Sequence, residues 1–80
     1  MEDAAIHGHI EELVNEEHRL LEHGETRTLS PEDLARLEDV KVQLDRYYDL
    51  LRQRRARRNA GQDPDEAHIR SADTVEHYQQ

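Results

Sequence analysis

The sequence predicts an all-α fold, an antiparallel two-helix hairpin with a short helical C-terminal tail. Apolar residues recur at steps of three, four and seven through the first part of the chain, which is typical of buried helical stripes. Helix-start signals and a short polar connection divide these residues between two segments. Residues 1–60 are therefore expected to form the hairpin, and residues 61–80 an acidic tail that packs on or near it.

The first helix is expected over about residues 3–23, with Asp3 as its candidate N-cap. Glu17 falls where the apolar stripe calls for an apolar residue, and we expect Lys41 or Arg36 on the facing helix to pair with it. The stripe itself consists of Ile6, Ile10, Leu13, Val14, Leu20 and Leu21.

The second helix has the clearest start signal in the chain. In the SPED segment Ser30 suits the N-cap, Pro31 suits the first helical turn, and Asp33 occupies the capping-box position. No helix-breaking residue follows before Gly61. A helix over about residues 31–60 is therefore expected, roughly 43 Å long at 1.5 Å per residue.

Folding the chain at residues 24–29 places apolar residues of the two helices opposite each other. The apolar stripe of the second helix covers about 160° of its surface, wider than the ~100° that one partner helix needs. This excess predicts a homodimer that forms a four-helix bundle. The predicted facing pairs are Ile6 with Tyr48, Ile10 with Leu44, Val14 with Val40, and Leu20 with Leu34. The predicted dimer face consists of Leu44, Tyr47, Leu50 and Leu51.

The tail repeats the helix-start chemistry. Asp63 is a candidate N-cap, Pro64 suits a first turn, and Glu66 takes the capping-box position. A further short helix is expected from Ser71. Two arrangements remain open, a loose tail and one that folds back on the hairpin through Ile69, Val75 and Tyr78.

The composition limits the classes of function. Eighty residues without cysteine provide one small core and no disulfide or thiolate chemistry, so oligomerisation is the natural source of further buried area. The sequence contains no membrane-spanning run and no signal-peptide pattern, which predicts a cytoplasmic protein. The net charge of −8 disfavours general nucleic-acid binding, because an acidic surface repels phosphates.

The residues that carry chemistry predict no catalytic, cofactor or metal site. The six histidines do not converge at spacings typical of metal ligands. Ser30 and Ser71 are explained as helix caps rather than nucleophiles. The long second helix resembles that of small dimeric chorismate mutases, a family that needs a lysine further along this helix, but Lys41 is the only lysine in the chain. Such an enzyme is the least favoured alternative.

Five arginines lie within residues 52–58, between an apolar helix and a run of acids. On the helical wheel Arg54, Arg55 and Arg58 continue the apolar stripe. We therefore expect these three to pair with acids of the DPDE segment or of the first helix's start, in the same or a neighbouring subunit. Phosphate contacts to a nucleic acid and binding of an acidic protein segment remain the alternatives. The predicted interaction cluster consists of Arg52, Arg54, Arg55, Arg57, Arg58, Asp63, Asp65 and Glu66.

The segment LDRYYDLLRQRRARRNAGQDPDEA resembles a family of small, mostly actinobacterial proteins catalogued as domain of unknown function 2630. An I..LV.EEHRL segment that begins at Ile10 and a VE.Y.Q segment that begins at Val75 extend the resemblance to nearly the whole chain. The family pattern has cysteine and tryptophan where this chain has Tyr47 and Tyr48, which implies packing roles for both side chains. The resemblance implies no activity, since none is assigned to the family.

The sequence as a whole favours a non-enzymatic structural or adaptor protein that acts through protein contacts as a homodimer. The alternative is a protein that associates with nucleic acid through the arginines of residues 52–58. The biological role, the partner and the pathway are not encoded in any motif of this sequence.

Overall fold

A computed structural model describes residues 1–77 and confirms the all-α class. Two long helices, α1 (Asp3–Thr26) and α2 (Pro31–Asn59), are followed by a 3-10 turn at Pro64–Glu66 and a short helix, α3 (Ala72–His77). No β-strand occurs in these 77 residues. None of the helices in this range is long and apolar enough to cross a membrane.

The helix α1 begins at the expected place but uses Asp3 differently. Glu2 occupies the N-cap position without a side-chain cap, and Asp3 is the first helical residue. A carboxylate in the first turn still favours the helix through its dipole. The helix ends at Thr26, three residues beyond the expected end, where the N–H of Arg27 donates to the carbonyl of His23 at 3.1 Å.

The start and end of α2 agree with the helix signals of the sequence. The hydroxyl of Ser30 accepts a hydrogen bond from the backbone N–H of Asp33 at 3.0 Å, and Pro31 opens the first turn. At the other end Gly61 adopts a φ of +73°, a left-handed conformation that costs glycine little. The chain leaves the helix at this residue and turns back along α2.

The core lies between α1, α2 and the segment that follows them. Ile6 and Ile10 of α1 pack with Val40 and Leu44 of α2 in one buried cluster. This agrees with the antiparallel pairing predicted from the sequence. The same cluster includes Leu50 of α2 and, from the C-terminal segment, Ala67.

Two of the predicted facing residues lie outside this core. Leu34 and Tyr48 are both exposed, whereas their expected partners Leu20 and Ile6 are buried. Helical periodicity identifies apolar positions but does not say which edge of a wide stripe the partner helix covers. The expected packing role of Tyr48 is not seen within the single chain.

Residues 62–77, here named the strap, run back along α2. Ala67 and Val75 of the strap are buried, and Ile69 is partly buried against the core. The backbone N–H of Thr74 donates to the hydroxyl of Ser71 at 3.2 Å, which caps α3. Of the three residues expected to fold back, Tyr78 lies outside the described residues.

The strap accounts for much of the excess width of the apolar stripe on α2. Leu44 and Leu50 are only 7% and 2% exposed in the single chain, and Tyr47 and Leu51 are half-buried. Within the single chain, Leu44 and Leu50 thus lie in the core, and Tyr47 and Leu51 are the more accessible members of the predicted dimer face, which stays a prediction. The strap is a partner for this stripe within the chain, in addition to α1.

Candidate functional site

The open end of the hairpin carries a cluster of four charged residues, Asp3, Arg54, Arg58 and Asp65, here named the Asp3 clamp. The guanidinium of Arg54 donates through Nε to Asp3 Oδ1 at 2.5 Å and through Nη1 to Asp65 Oδ1 at 3.0 Å. Arg58 Nη2 donates to Asp3 Oδ2 at 3.1 Å. The clamp joins the start of α1, the end of α2 and the strap.

The side chain of Arg54 is almost fully buried, and its guanidinium donates hydrogen bonds to three oxygens. Its Nη1 also donates to the backbone carbonyl of Pro64 at 3.1 Å. Hydrogen bonds from Arg54 and then Arg58 lower the pKa of Asp3, and the bonds to Asp3 and Asp65 raise the pKa of Arg54. Both groups therefore remain charged, and their charges are neutralised inside the chain.

The other arginines of the predicted cluster differ in their contacts. Arg57 Nη1 pairs with Glu66 Oε2 at 3.4 Å, and Arg52 lies 3.8 Å from the carboxylate of Asp49. Arg55 is exposed and has no ion pair with the residues described. The structure thus brings Arg54 and Arg58 to the acids expected for them and leaves Arg55 apart. Asp63 caps the 3-10 turn by accepting from the N–H of Asp65 at 2.9 Å.

A second charged cluster surrounds Asp49 and was not anticipated from the sequence. Asp49 is fully buried, and Arg70 of the strap donates to both of its oxygens, with Nε at 2.9 Å from Oδ2 and Nη2 bound to Oδ1. Gln53 Nε2 adds a third hydrogen bond, to Oδ2, at 3.0 Å. The two-pronged contact with the planar guanidinium fixes the orientation of Arg70 relative to Asp49 and also balances the charge of the buried carboxylate. We name Asp49, Gln53 and Arg70 the Asp49 site.

The hydrogen bond from Arg70, followed by that from Gln53, lowers the pKa of Asp49, although burial acts in the opposite direction. A buried carboxylate without such partners would favour its neutral form. The sequence contained one signal of this pair. Arg70 is the only base in residues 61–80, and Asp49 is adjacent to the apolar stripe of α2.

Three side chains of α2 bind main-chain carbonyls of the strap. Arg54 donates to Pro64, Gln53 donates to the carbonyl of His68 at 2.9 Å, and Arg46 donates to that of Arg70 at 3.0 Å. Together with the Asp49 site, these bonds satisfy the backbone of an otherwise irregular segment. They hold the strap in a fixed register on α2.

On the side of the hairpin that carries His9 and Tyr47, a groove of about 270 Å³ lies between α1 and α2. On its wall the ring of His9 stacks on Tyr47, with centroids 5.1 Å apart. Arg36 pairs in two-pronged fashion with Glu16 at 2.5 and 2.8 Å, which lowers the pKa of Glu16. The sequence had assigned Arg36 or Lys41 to Glu17, so the partner of Arg36 is one residue away from the predicted one.

Within the described part of the chain, no three histidine or acidic side chains are grouped so as to hold a metal ion. The charged clusters are instead contacts between elements. The Asp3 clamp joins both helices to the strap, and the Asp49 site fastens the strap to α2.

Comparison with known proteins gives one consistent result. A family model described as protein of unknown function (DUF2630) matches residues 2–80. Uncharacterised proteins from Mycobacterium bovis and from two strains of Mycobacterium tuberculosis are each 44% identical over 79 residues, which cover 95% of this chain and 88% of the relative. No solved structure is significantly similar.

Proposed function

Because the chain belongs to the DUF2630 family, for which no activity is described, we propose from its surface that it is a non-enzymatic structural module that acts through protein contacts. Its first partner in this proposal is a second copy of the same chain. The observation that carries the proposal is an exposed row of large apolar side chains along one flank of the hairpin.

This apolar flank consists of Leu21, Leu34 and Tyr48, which are 47%, 54% and 42% exposed. Leu34 and Tyr48 are fourteen residues apart, or two heptads, so they lie on nearly the same side of α2, about 21 Å apart along its axis. In an antiparallel hairpin Leu21 of α1 lies on the same flank, opposite the side that carries His9 and Tyr47. Contiguous exposed apolar patches mark interaction surfaces, and in this proposal the three side chains contribute to one such contact.

The shape of the chain favours a second layer on this flank. The described Cα atoms extend over 50 × 27 × 15 Å, so the hairpin and strap form essentially a single layer of helices. Stable domains usually bury their apolar faces between two layers. A second copy stacked on the apolar flank supplies the missing layer and produces a four-helix arrangement.

The charges of the two helices are complementary between copies. The helix α1 carries seven acids against one arginine, whereas α2 carries eight bases against six acids. Lys41 and Arg55 share the heptad row of Leu34 and Tyr48, and neither has an ion pair with residues 1–77. An arrangement in which α1 of one copy crosses α2 of the other therefore places acids near these two cations.

The available area meets the requirement for a stable dimer. A standard interface buries about 800 Å² on each partner. The accessible surface of the chain is 5636 Å², so the interface would take roughly one seventh of it. A 50 × 27 Å face has room for such a contact.

Light scattering on wild type and on two matched variants tests the proposal. Wild type should have twice the chain mass of 9.5 kDa at tens of micromolar concentration. Leu34→Glu should lower that mass towards one chain, because it buries a charge at the interface. Ala35→Glu adds the same charge at an exposed position about 100° around the helix and should leave the dimer intact. A monomeric wild type, or equal behaviour of the two variants, would refute the apolar flank as the contact.

A further inference from the structure

Side chains of α2 bind the main chain of the strap, in the way that a protein binds an extended peptide. Arg54, Gln53 and Arg46 all donate to backbone carbonyls, at Pro64, His68 and Arg70 respectively. Main-chain recognition of this kind is a common mode of binding extended segments. The residues of α2 that make these bonds, with Asp49 and Leu50 between them, are here named the strap groove.

Side-chain recognition adds specificity to the strap groove. The buried carboxylate of Asp49 takes the guanidinium of Arg70, and Ala67 packs in the same buried cluster as Leu50. Val75 of α3 is buried as well. A segment that occupies this groove therefore needs an arginine three positions after a small apolar residue, which is the pattern of residues 67–70 in the chain itself.

We propose that two copies of this protein exchange their straps, so that the strap groove of each copy holds residues 62–77 of the other. A second copy supplies by identity every contact that the first copy makes to itself. This inference goes beyond the proposed function, because it concerns a different face of α2 from the apolar flank.

The packing of the elements makes the strap separable from the hairpin. The 3-10 turn and α3 pack on α2, and among the described elements neither packs on α1. The strap meets α1 at two places: Ala67 lies in the core cluster with Ile6 and Ile10, and Arg54 contacts both Asp3 and Asp65. Removing the strap therefore uncovers the side of α2 that carries Leu50 and the part of the core that Ala67 covers, while the pairing of Ile6 and Ile10 with Val40 and Leu44 does not involve the strap.

The connection between hairpin and strap is suited to act as a hinge. Residues 60–63 are all exposed, and the bend is held by backbone hydrogen bonds, from Gly61 to the carbonyl of Arg58 at 3.1 Å and from Gln62 to that of Arg57 at 2.7 Å. Glycine at position 61 permits both the observed positive φ and extended conformations. Four extended residues span about 13 Å, which is enough to cross to a neighbouring α2.

Exchange follows mass action between the two copies. The contacts in the closed and exchanged forms are the same, so the closed form wins at low concentration and the exchanged form gains as concentration rises.

The absence of cysteine from the chain allows a direct test. Full-length chains carrying Gln53→Cys are mixed with full-length chains carrying His68→Cys, since these two residues are joined by a 2.9 Å hydrogen bond. We expect a disulfide-linked pair of the two chains that increases with protein concentration. A chain with both changes should form the bond internally when dilute. Arg55→Cys in place of Gln53→Cys, at an exposed position on another side of α2, provides the background.

A second pair of variants tests the exchange without a disulfide. Within one chain, Asp49→Arg places two arginines together and Arg70→Asp places two aspartates together. In a mixture of the two variants, exchange of straps pairs an arginine with an aspartate in both strap grooves. We expect the mixture to melt at least 5 °C above either variant alone. All chains carry Leu34→Glu, which separates exchange from association through the apolar flank. Cross-linking no greater than with Arg55→Cys, or a mixture that melts as the two variants do separately, would overturn the proposal.

Discussion

Arg54 and Asp3 are fifty-one residues apart in the sequence, and their side chains meet at 2.5 Å at the open end of the hairpin. The contact is possible because the helices run antiparallel, which brings the last turns of α2 level with the start of α1. Arg54 extends the apolar stripe of α2 into a buried charged contact, and its second oxygen partner, Asp65, brings the strap to the same point. Ion pairs thus join the two helices at the end of the hairpin where the apolar contacts stop.

Replacing Arg54 should destabilise the fold far more than replacing Arg55. Arg54→Met removes the charged partner of Asp3 and Asp65 while keeping an unbranched apolar stem, and Arg55→Met provides a matched control one residue away. We expect the first variant to melt roughly 5 °C or more below wild type, since about 1 kcal/mol corresponds to several degrees in a domain of this size. Arg55→Met should melt within about 2 °C of wild type.

Thermal unfolding followed by circular dichroism measures both variants. Equal melting temperatures for the two would mean that the Asp3 clamp contributes nothing to stability. A lower melting temperature seen only with Arg55→Met would show that the structural role belongs to Arg55 and not to Arg54.

Reversing the acids of the strap should weaken its attachment in a salt-dependent way. Asp65 pairs with Arg54, Glu66 pairs with Arg57, and Asp63 caps the 3-10 turn. Changing all three to lysine should lower the melting temperature by a few degrees, because exposed pairs contribute only ~0–1 kcal/mol each. The difference from wild type should shrink between 50 mM and 500 mM NaCl as screening increases. An effect that is independent of salt would point to the lost cap instead of the ion pairs.

The fold was largely predictable because its signals are local. The cap at Ser30, the proline that follows it and the absence of a breaker before Gly61 fix α2 without knowledge of the rest of the chain. The charge at the end of α2 was predictable for a similar reason. The arginines lie in the last turns of α2, at the end of the hairpin where α1 begins. The nearest acids there are Asp3 and those of the DPDE segment.

The contacts of the strap could not be obtained in the same way. The segment from Ala67 to Ser71 has no regular secondary structure, so no periodicity sets its register on α2. The pair of Asp49 and Arg70 depends on that register. For the same reason the sequence assigned the wide stripe on α2 to a second subunit, although the strap covers Leu50.

Acid should loosen the protein through carboxyl groups whose pKa is lowered by arginine, namely Asp3, Asp49 and Glu16. Contacts with arginine hold the folded-state pKa of Asp3 and of Asp49 below the ordinary value of 3.8. Their contribution to stability is therefore complete at pH values well above 3.8 and is lost as the pH falls below it through the lowered values. Urea unfolding midpoints should change little through these groups between pH 7 and about pH 5 and should fall below about pH 4.

Asp49→Asn isolates one of these groups. An amide accepts hydrogen bonds but does not titrate in this range, so the variant should be less stable at pH 7 and lose less stability on acidification. Asp45→Asn, at an exposed position of the same helix, is the control. A slope against pH in Asp49→Asn as steep as that of wild type would show that Asp49 does not contribute to acid sensitivity.

Polynucleotide binding should be weak at physiological salt. Arg54, Arg57 and Arg58 are engaged with acids of the same chain, which leaves Arg52 and Arg55 as the more accessible members of the cluster. The net charge of −8 adds a general repulsion. Fluorescence anisotropy with labelled single-stranded and duplex DNA and RNA should show no saturable binding at 150 mM salt and micromolar protein. Saturable binding that Arg52→Gln and Arg55→Gln together abolish would favour the nucleic-acid alternative.

Two glycines of this chain should respond in opposite directions to alanine. Gly8 lies within α1, Gly61 has a φ of +73° at the start of the hinge, and an added Cβ would have open space at both. The difference between them is therefore conformational and not steric. Gly8→Ala should stabilise the protein by about 0.5–1 kcal/mol through helix propensity. Gly61→Ala should cost about 1–2 kcal/mol, because an L-residue is strained in the left-handed region. Urea unfolding of both variants measures the difference.

If Gly61→Ala lowers the stability while proteolysis within residues 62–77 increases, the strain is transmitted to the strap. If Gly61→Ala is neutral, the bend adopts a different conformation in solution and the hinge of the exchange proposal must lie elsewhere.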